Sequence, residues 1–205
     1  MPKVTSYRSI QERLQLDHAL PYTENWSAAA DFLELIIAHC LKTKPATIIE
    51  CSSGLTTLVL ARCCQLNDYG YIHSLENGQD YANKTRQQLT EFGLGKYVNV
   101  IHAPLETVTI NARDFMWYST RDLPDVPIDM LVIDGPPGFM QQYSRFPALP
   151  ILYNQLANDS VLFLDDAARD DEKAIIDMWQ DDYPDIEHQY IDTERGCSVL
   201  RKAKA

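Results

Sequence analysis

Thr47-Ile-Ile-Glu-Cys-Ser-Ser-Gly-Leu-Thr-Thr57 decides how the rest of this chain is read. A short β-branched apolar run ends on an acid, Glu50, passes through small residues and continues into a helical pattern. A strand, a tight turn and a helix in that order let a nucleotide-like ligand approach the backbone at the positive end of the helix. A second strand-like run, Tyr71-Ile-His-Ser-Leu75, also ends on an acid, Glu76. An acid in that place can accept both hydroxyls of a ribose. The two together point to a cofactor that carries an adenosine.

Outward from this unit, strand and helix patterns alternate. On the N-terminal side, residues 6–17 suit a short helix, and Ser27 is placed to cap a stronger one in which Ala30, Leu33, Ile37 and Cys40 recur at helical spacing. Downstream come a helix at 55–66, the strand ending at Glu76, and a helix at 79–91 that stops at Gly93. Val98-Asn-Val-Ile101, Asp129-Met-Leu-Val-Ile133 and Ser160-Val-Leu-Phe-Leu164 read as further strands, and 107–127, with Pro124 and Pro127, as an irregular surface excursion. A helix at 170–182 presents Ala174, Ile175, Met178 and Trp179 on one face, and 186–191 and 197–200 close the chain as two strands about Glu194-Arg195-Gly196. The alternation predicts an α/β fold, an open and mostly parallel sheet with helices on both faces. The short final turn makes its two strands antiparallel. No repeat or linker divides residues 1–205, so the expectation is a single domain, with 1–44 as a helical cap or lid and 45–205 as the core.

At 205 residues, with 45% hydrophobic and 23% charged side chains, the chain has the composition of a soluble globular protein. No apolar run suits a membrane span, and the opening Met1-Pro-Lys-Val-Thr-Ser lacks the apolar core of a signal peptide. A net charge of −11 disfavours nucleic acid and anionic membranes as partners. The five cysteines, Cys40, Cys51, Cys63, Cys64 and Cys197, are odd in number and form no CxxC pair, which suits free thiols in a reducing cytoplasm.

On these residues the chain resembles the class I, Rossmann-like, S-adenosylmethionine-dependent methyltransferases, over roughly residues 25–202. The landmarks are Glu50-Cys-Ser-Ser-Gly54 for the cofactor turn, Glu76 for the ribose and Asp134 after the fourth strand. The resemblance implies a seven-stranded sheet with an antiparallel last strand. Within the class, Ile133-Asp-Gly-Pro-Pro-Gly138 and Phe163-Leu-Asp-Asp-Ala-Ala-Arg169 resemble small O-methyltransferases, some of which act on sugars or glycans. It further implies that Ser52, Ser53 and Gly54 meet the methionine end of the cofactor, Glu76 the ribose, and Ala103 and Leu105 the adenine, with Glu50, Asn77 and Asp134 also at the cofactor. One departure stands in the turn: the first glycine of the family's E-x-G-x-G is Ser52, a residue less permissive of positive φ.

Asp134, Asp165 and Asp166 follow the fourth and fifth strands, where open α/β sheets place their active sites. Three converging carboxylates repel one another unless a cation or raised pKa values relieve them. The set resembles the metal-dependent O-methyltransferases of the catechol and caffeoyl-CoA type, in which an Asp and an Asp-Asn pair bind a divalent cation such as Mg²⁺ that lowers the pKa of the substrate hydroxyl. Here the pair is Asp165-Asp166, an acid in place of the neutral ligand. The alternative keeps the fold without a metal: Asp134 acts as general base or touches the cofactor, and Asp166 caps the next segment.

Arg145 and Arg169 follow strand ends and suit an anionic or hydroxyl-rich substrate, and Trp26, with Tyr22, is placed to cover the acceptor as an aromatic lid. The five histidines show no metal-ligand spacing; His102 is the one near the cleft. The reading is therefore an O-methyltransferase for a small-molecule or carbohydrate hydroxyl, with a homodimer left open. A nicotinamide-dependent oxidoreductase would share the first unit but normally has a fuller G-x-G-x-x-G turn. A non-catalytic cofactor-binding module is the remaining alternative.

Overall fold

The computed structural model describes residues 6–24 and 26–203. The start of the chain, read above as lacking a signal-peptide core, lies outside them over residues 1–5. Seven strands form one sheet in the order β3-β2-β1-β6-β7-β9-β8, comprising β1 (Thr47–Cys51), β2 (Tyr71–Glu76), β3 (Val98–His102), β6 (Ile128–Ile133), β7 (Leu156–Asp165), β8 (Ile186–Ile191) and β9 (Cys197–Lys202). The first five of these run parallel, and β9 lies antiparallel between β7 and β8. Burial explains that placement. Residues 197–200 are all buried, whereas β8 is largely exposed along its length and takes the edge. The expected fold, a mostly parallel seven-stranded sheet with an antiparallel last strand, is what the chain forms.

Because successive residues of a strand face opposite sides, the sheet divides the apolar residues into two cores. Ile48, Ile72, Met130, Val132, Phe163 and Val199 pack with Phe32, Ile36, Leu58 and Val59 from α2 (Ala30–Thr43) and α3 (Leu55–Asn67). Ile49, Leu75, Leu131, Ile133, Leu162 and Leu200 pack on the other face with Phe146, Ile175 and Trp179, the last two from α6 (Asp170–Asp182). α4 (Gln79–Glu91) follows β2 and packs against β3. A short α1 (Tyr7–Arg13) packs on α2, and α5 (Ala148–Leu152) precedes β7. Among the described residues no helix is long and apolar enough to cross a membrane.

Several local expectations change. The segment from 107 is not irregular throughout: β4 (Leu105–Ile110) and β5 (Arg113–Tyr118) form an antiparallel hairpin. Asn111 and Ala112 make its two-residue turn with φ of 50° and 60°, as the right-handed twist of a hairpin requires. The hairpin lays Phe115, Trp117 and Tyr118 into the second core. Ser27 does not cap α2; its hydroxyl accepts a hydrogen bond from Thr23 N, and Ala29 is the N-cap with no side-chain bond. β7 begins at Leu156 rather than Ser160, because the exposed Asn158-Asp159 segment bulges out of register with β6 before pairing resumes at Val161.

Candidate active site

The strand order reverses at β1, whose neighbours are β2 on one side and β6 on the other. Ligands of open α/β sheets bind beyond the carboxyl ends of the strands at such a switch point. Here the turn after β1 carries Ser52 at φ 89°, so the serine takes up the conformation that a glycine would ordinarily supply. Its amide donates to Leu75 O at 2.9 Å, and the Asp134 amide donates to Cys51 O at 3.1 Å, which ties the turn to β2 and β6.

Glu50 lies beneath this turn and is fully enclosed. Thr57 Oγ1 donates to its Oε2 at 2.6 Å and accepts from Gly54 N at 2.9 Å, so the acid shapes the start of α3 through Thr57. Burial pushes its carboxyl up to about 7, against the pull of the Ser74, Thr56 and Thr57 hydroxyls. Glu76 binds the two neighbouring turns together. Its Oε2 accepts from Ser53 N and Oγ, both at 3.0 Å, and its Oε1 from Gly78 N at 2.9 Å. Asn77 follows it, partly exposed. Ala103 is buried in the second core, while Leu105 lines a smaller pocket with His102 and Pro104. The two residues expected at an adenine therefore do not share one open surface.

A cleft of about 680 Å³ opens beyond β1, β6 and β7, and Trp26, Ser52, Asp134, Asp166, Arg145 and Arg169 line it together. Asp165 lies behind it, fully buried. The structure changes the part expected of Arg145. Only 3% of its side chain is exposed, and its guanidinium is committed to the protein. Nη1 donates to Asp165 O at 2.8 Å; Nη2 donates to Asp134 O at 2.9 Å, Asp134 Oδ1 at 3.3 Å and Asp166 Oδ2 at 2.8 Å. Arg169 is half exposed at the rim, with Nη1 3.0 Å from Asp166 Oδ2.

Glu172, Phe139 and Arg195 are among the lining residues that the sequence did not mark. Glu172 is buried in the first turn of α6 with Oε1 3.8 Å from Arg145 Nε. Phe139 is exposed beside Trp26, ring centroids 6.3 Å apart. Arg195 arrives on the turn between β8 and β9, where Nη2 donates to Asp165 Oδ2 at 2.9 Å and Nε lies 3.3 Å from Asp166 Oδ1. That turn fits closely: Arg195 O and Gly196 O accept from Ala168 N and Ala167 N, and a Cβ on Gly196 would fall 2.5 Å from Ala168 N. The Glu194-Arg195-Gly196 triplet signalled a turn, and nothing local in it signalled this destination.

The electrostatics follow from four enclosed acids, Asp134, Asp165, Asp166 and Glu172, set among three arginines. Burial and then the Asp165 carboxylate hold Asp134 well above the usual carboxylate range, with Arg145 opposing. Asp165 is raised by burial and Asp166, and Glu172 by burial, each against neighbouring arginines. Burial works against the charge of Arg145, yet Asp134, Asp166, Glu172 and Asp165 outweigh it and keep the guanidinium above its ordinary value.

Carboxylate oxygens of Asp134, Asp165 and Asp166 lie within 4.8 Å of one another, a spacing that a divalent cation can bridge. Their surroundings do not suit one. Arg145 Nη2 already contacts the oxygens of two of the three, and Arg195 pairs with the third. Arg195 Nε also lies 3.3 Å from Asp166 Oδ1, and among the buried atoms without a hydrogen-bond partner the acceptors Asp165 Oδ1 and Glu172 Oε2 stand with a donor, Arg145 Nε, which gains nothing from a metal ion beside it.

The sequence profile of the methyltransferase domain matches residues 49–167, more than half of the chain. The chain belongs to the methyltransferase domain family. Solved structures share the fold of this methyltransferase domain at low identity. A Podospora anserina methyltransferase bound to S-adenosylhomocysteine is 13% identical, with a TM-score of 0.70 over 97% of this chain and 88% of that one. The O-methyltransferase of Bacillus cereus in complex with S-adenosylhomocysteine is 13% identical, with a TM-score of 0.66 over 98% and 92%. An O-methyltransferase of Streptomyces achromogenes, involved in tomaymycin synthesis and in complex with S-adenosylmethionine, gives 13%, 0.65, 95% and 86%. No curated protein matches this chain in sequence.

Proposed function

We propose that this methyltransferase domain is an S-adenosylmethionine-dependent O-methyltransferase acting on a hydroxyl of a small molecule or sugar. The observation that carries the reading is that Ser52, in the turn expected to hold the methionine end of the cofactor, and Asp134 line one cleft. The ligands named for the structures of like fold agree with the cofactor. When bound, S-adenosylmethionine supplies a methyl group already activated on a sulfonium, so the protein's task is alignment and removal of a proton.

Glu76 holds the ribose: its Oε1 takes only the Gly78 amide, and Oε2 keeps only the Ser53 amide once Ser53 Oγ turns to Thr85 Oγ1, 3.0 Å away. The turn from Ser52 to Gly54 carries the methionine end, with Glu50 setting its shape from below. Asp134, which lines the cleft, accepts the acceptor's proton, a part that a carboxylate within reach of the bound hydroxyl can take. With the cofactor bound, Ser52 to Gly54 and Glu76 would hold it so that its methyl group meets the hydroxyl oxygen, and Asp134 would take the hydroxyl proton. The exposed rings of Trp26 and Phe139 flank the acceptor, and Arg169 at the rim offers it donors.

Calorimetric titration with S-adenosylhomocysteine, followed by mass spectrometry of hydroxyl acceptors incubated with S-adenosylmethionine, tests the reading. Wild type is expected to bind and to add one methyl; Asp134→Asn is expected to bind and to lose turnover by about 10²–10⁴-fold. No binding of S-adenosylhomocysteine overturns the cofactor assignment. Equal turnover by Asp134→Asn overturns the role of the acid, whereas S-adenosylhomocysteine binding with no methylated product favours a non-catalytic cofactor-binding module.

A further inference from the structure

We infer that Arg145 and Arg195 are the resident cations of this site, standing in for the divalent ion that its three carboxylates suggest, and that Arg145 is the positioning residue that aims Asp134. The second half rests on the methyltransferase reading above; the first half rests on the arrangement of charges alone.

Arg145 Nη2 is shared by three acceptors on two strands: the backbone oxygen and Oδ1 of Asp134 at the end of β6, and Oδ2 of Asp166 just past β7. Nη1 closes the set on Asp165 O. A planar fork with a permanent charge is suited to such a task, since it neutralises and orients at once and does not titrate in the range of the protein. A metal ion ligated by the same oxygens would sit at about 2.0–2.6 Å from each, against the guanidinium nitrogens. Removing one partner of a buried pair leaves the other uncompensated, so the arginine is fixed where it is. Arg195 does for Asp165 what Arg145 does for Asp134 and Asp166, and it is delivered from the far end of the sheet by the tight turn at Gly196.

The unsatisfied atoms around the cleft point the same way. Arg145 Nε is a buried donor without a hydrogen-bond partner, and Asp165 Oδ1 and Glu172 Oε2 are buried acceptors without one, while Arg195 Nε and Asp166 Oδ1 face each other as an ion pair at 3.3 Å. A group that both donates and accepts, such as water or an alcohol, satisfies this mixture; a cation can serve only the acceptors. Asp134 receives the hydroxyl proton in the reading above, and Arg145 keeps that carboxylate from turning away.

The test is calorimetric and paramagnetic-resonance titration of chelator-treated protein with MnCl₂, alone and with S-adenosylhomocysteine present. Wild type is expected to take up no Mn²⁺ at the cleft at millimolar concentrations, and its affinity for S-adenosylhomocysteine is expected to be the same with Mg²⁺ as with chelator. Arg145→Gln, which removes the arginine paired with Asp134 and one of those paired with Asp166, is expected to bind Mn²⁺ at least about tenfold more tightly than wild type, while it keeps S-adenosylhomocysteine binding and loses turnover. Should Arg145→Gln fail to fold by circular dichroism, Arg195→Gln, whose side chain is partly exposed, carries the same comparison. Stoichiometric Mn²⁺ binding by wild type overturns the inference, whether or not S-adenosylhomocysteine binds. Absence of both Mn²⁺ and S-adenosylhomocysteine binding supports the arginines as the resident cations and overturns the function reading instead.

Discussion

Ser52 and Gly135 face each other across the carboxyl ends of β1 and β6: a Cβ built on Gly135 would stand 2.8 Å from Ser52 Cβ and 2.5 Å from Tyr118 Oη. The turn that carries the one expected departure from the family's glycine pattern is therefore wedged against a residue that has to be glycine. Gly135→Ala must displace the Ser52 turn or the Tyr118 ring. It is expected to cost about 1–3 kcal/mol of stability, the range for overpacking, and to weaken S-adenosylhomocysteine binding. Calorimetry beside a thermal melt checks both; a variant with wild-type melting and affinity would show that the contact yields freely.

At Ser52 itself the φ of 89° carries a penalty that glycine escapes. An L-residue in the left-handed region costs about 1–2 kcal/mol, and glycine returns part of that through backbone entropy. Ser52→Gly is expected to be neutral or stabilising by up to about 1 kcal/mol, with S-adenosylhomocysteine affinity kept. A loss of more than that in urea unfolding would mean that the Ser52 hydroxyl holds the turn.

Glu50 gives a pH signature. Its carboxyl goes from the ordinary 4.5 to about 7 in the folded protein, so between those values the folded state binds more protons than the unfolded one. Stability from this group is greatest below pH 4.5, falls as pH rises, and reaches its full loss, about 3 kcal/mol, above 7. Glu50→Gln removes the ionisation and keeps an acceptor for Thr57. Urea unfolding at pH 5 and pH 8 is expected to show the variant gaining on wild type at the higher pH. A constant difference would place the ionised form of Glu50 comfortably in the core.

Glu76→Ala removes the expected ribose acceptor along with the anchor of the Ser53 and Gly78 amides. The loss of hydrogen bonds to a charged group, about 1.5–3 kcal/mol, predicts S-adenosylhomocysteine binding weakened by about ten- to a hundred-fold with the circular dichroism spectrum unchanged. Unchanged affinity would reject the ribose assignment.

Trp26 stands 56% exposed between Tyr81 and Phe139, with ring centroids 6.1 and 6.3 Å away. Trp26→Ala is expected to raise the KM for the acceptor by about ten-fold, the scale of a lost ring contact, and to leave S-adenosylhomocysteine affinity alone. A fall in kcat with KM unchanged would move Trp26 from binding the acceptor to aligning it.

The sequence by itself determined the alternation of strands and helices, and with it the sheet and the places where Glu76, Asp134, Asp165 and Asp166 end their strands. These are local facts: a period of two or of 3.6, and an acid at the end of an apolar run, are written within a few neighbouring residues. Part of the second layer was legible too, since Trp26, Ser52 and Arg169 do line the cleft.

Tertiary structure decided what those acids meet. It enclosed Arg145 among Asp134, Asp165, Asp166 and Glu172, where the sequence suggested a hand for the substrate. It brought Arg195 across thirty residues of chain to Asp165, put Glu50 under the turn it was expected to line, and folded the segment after Leu105 into a hairpin. Charge pairing and burial are properties of contacts between segments distant in the chain, and no local period encodes them. The carboxylates could be read from strand ends alone, but the cations that neutralise them could not.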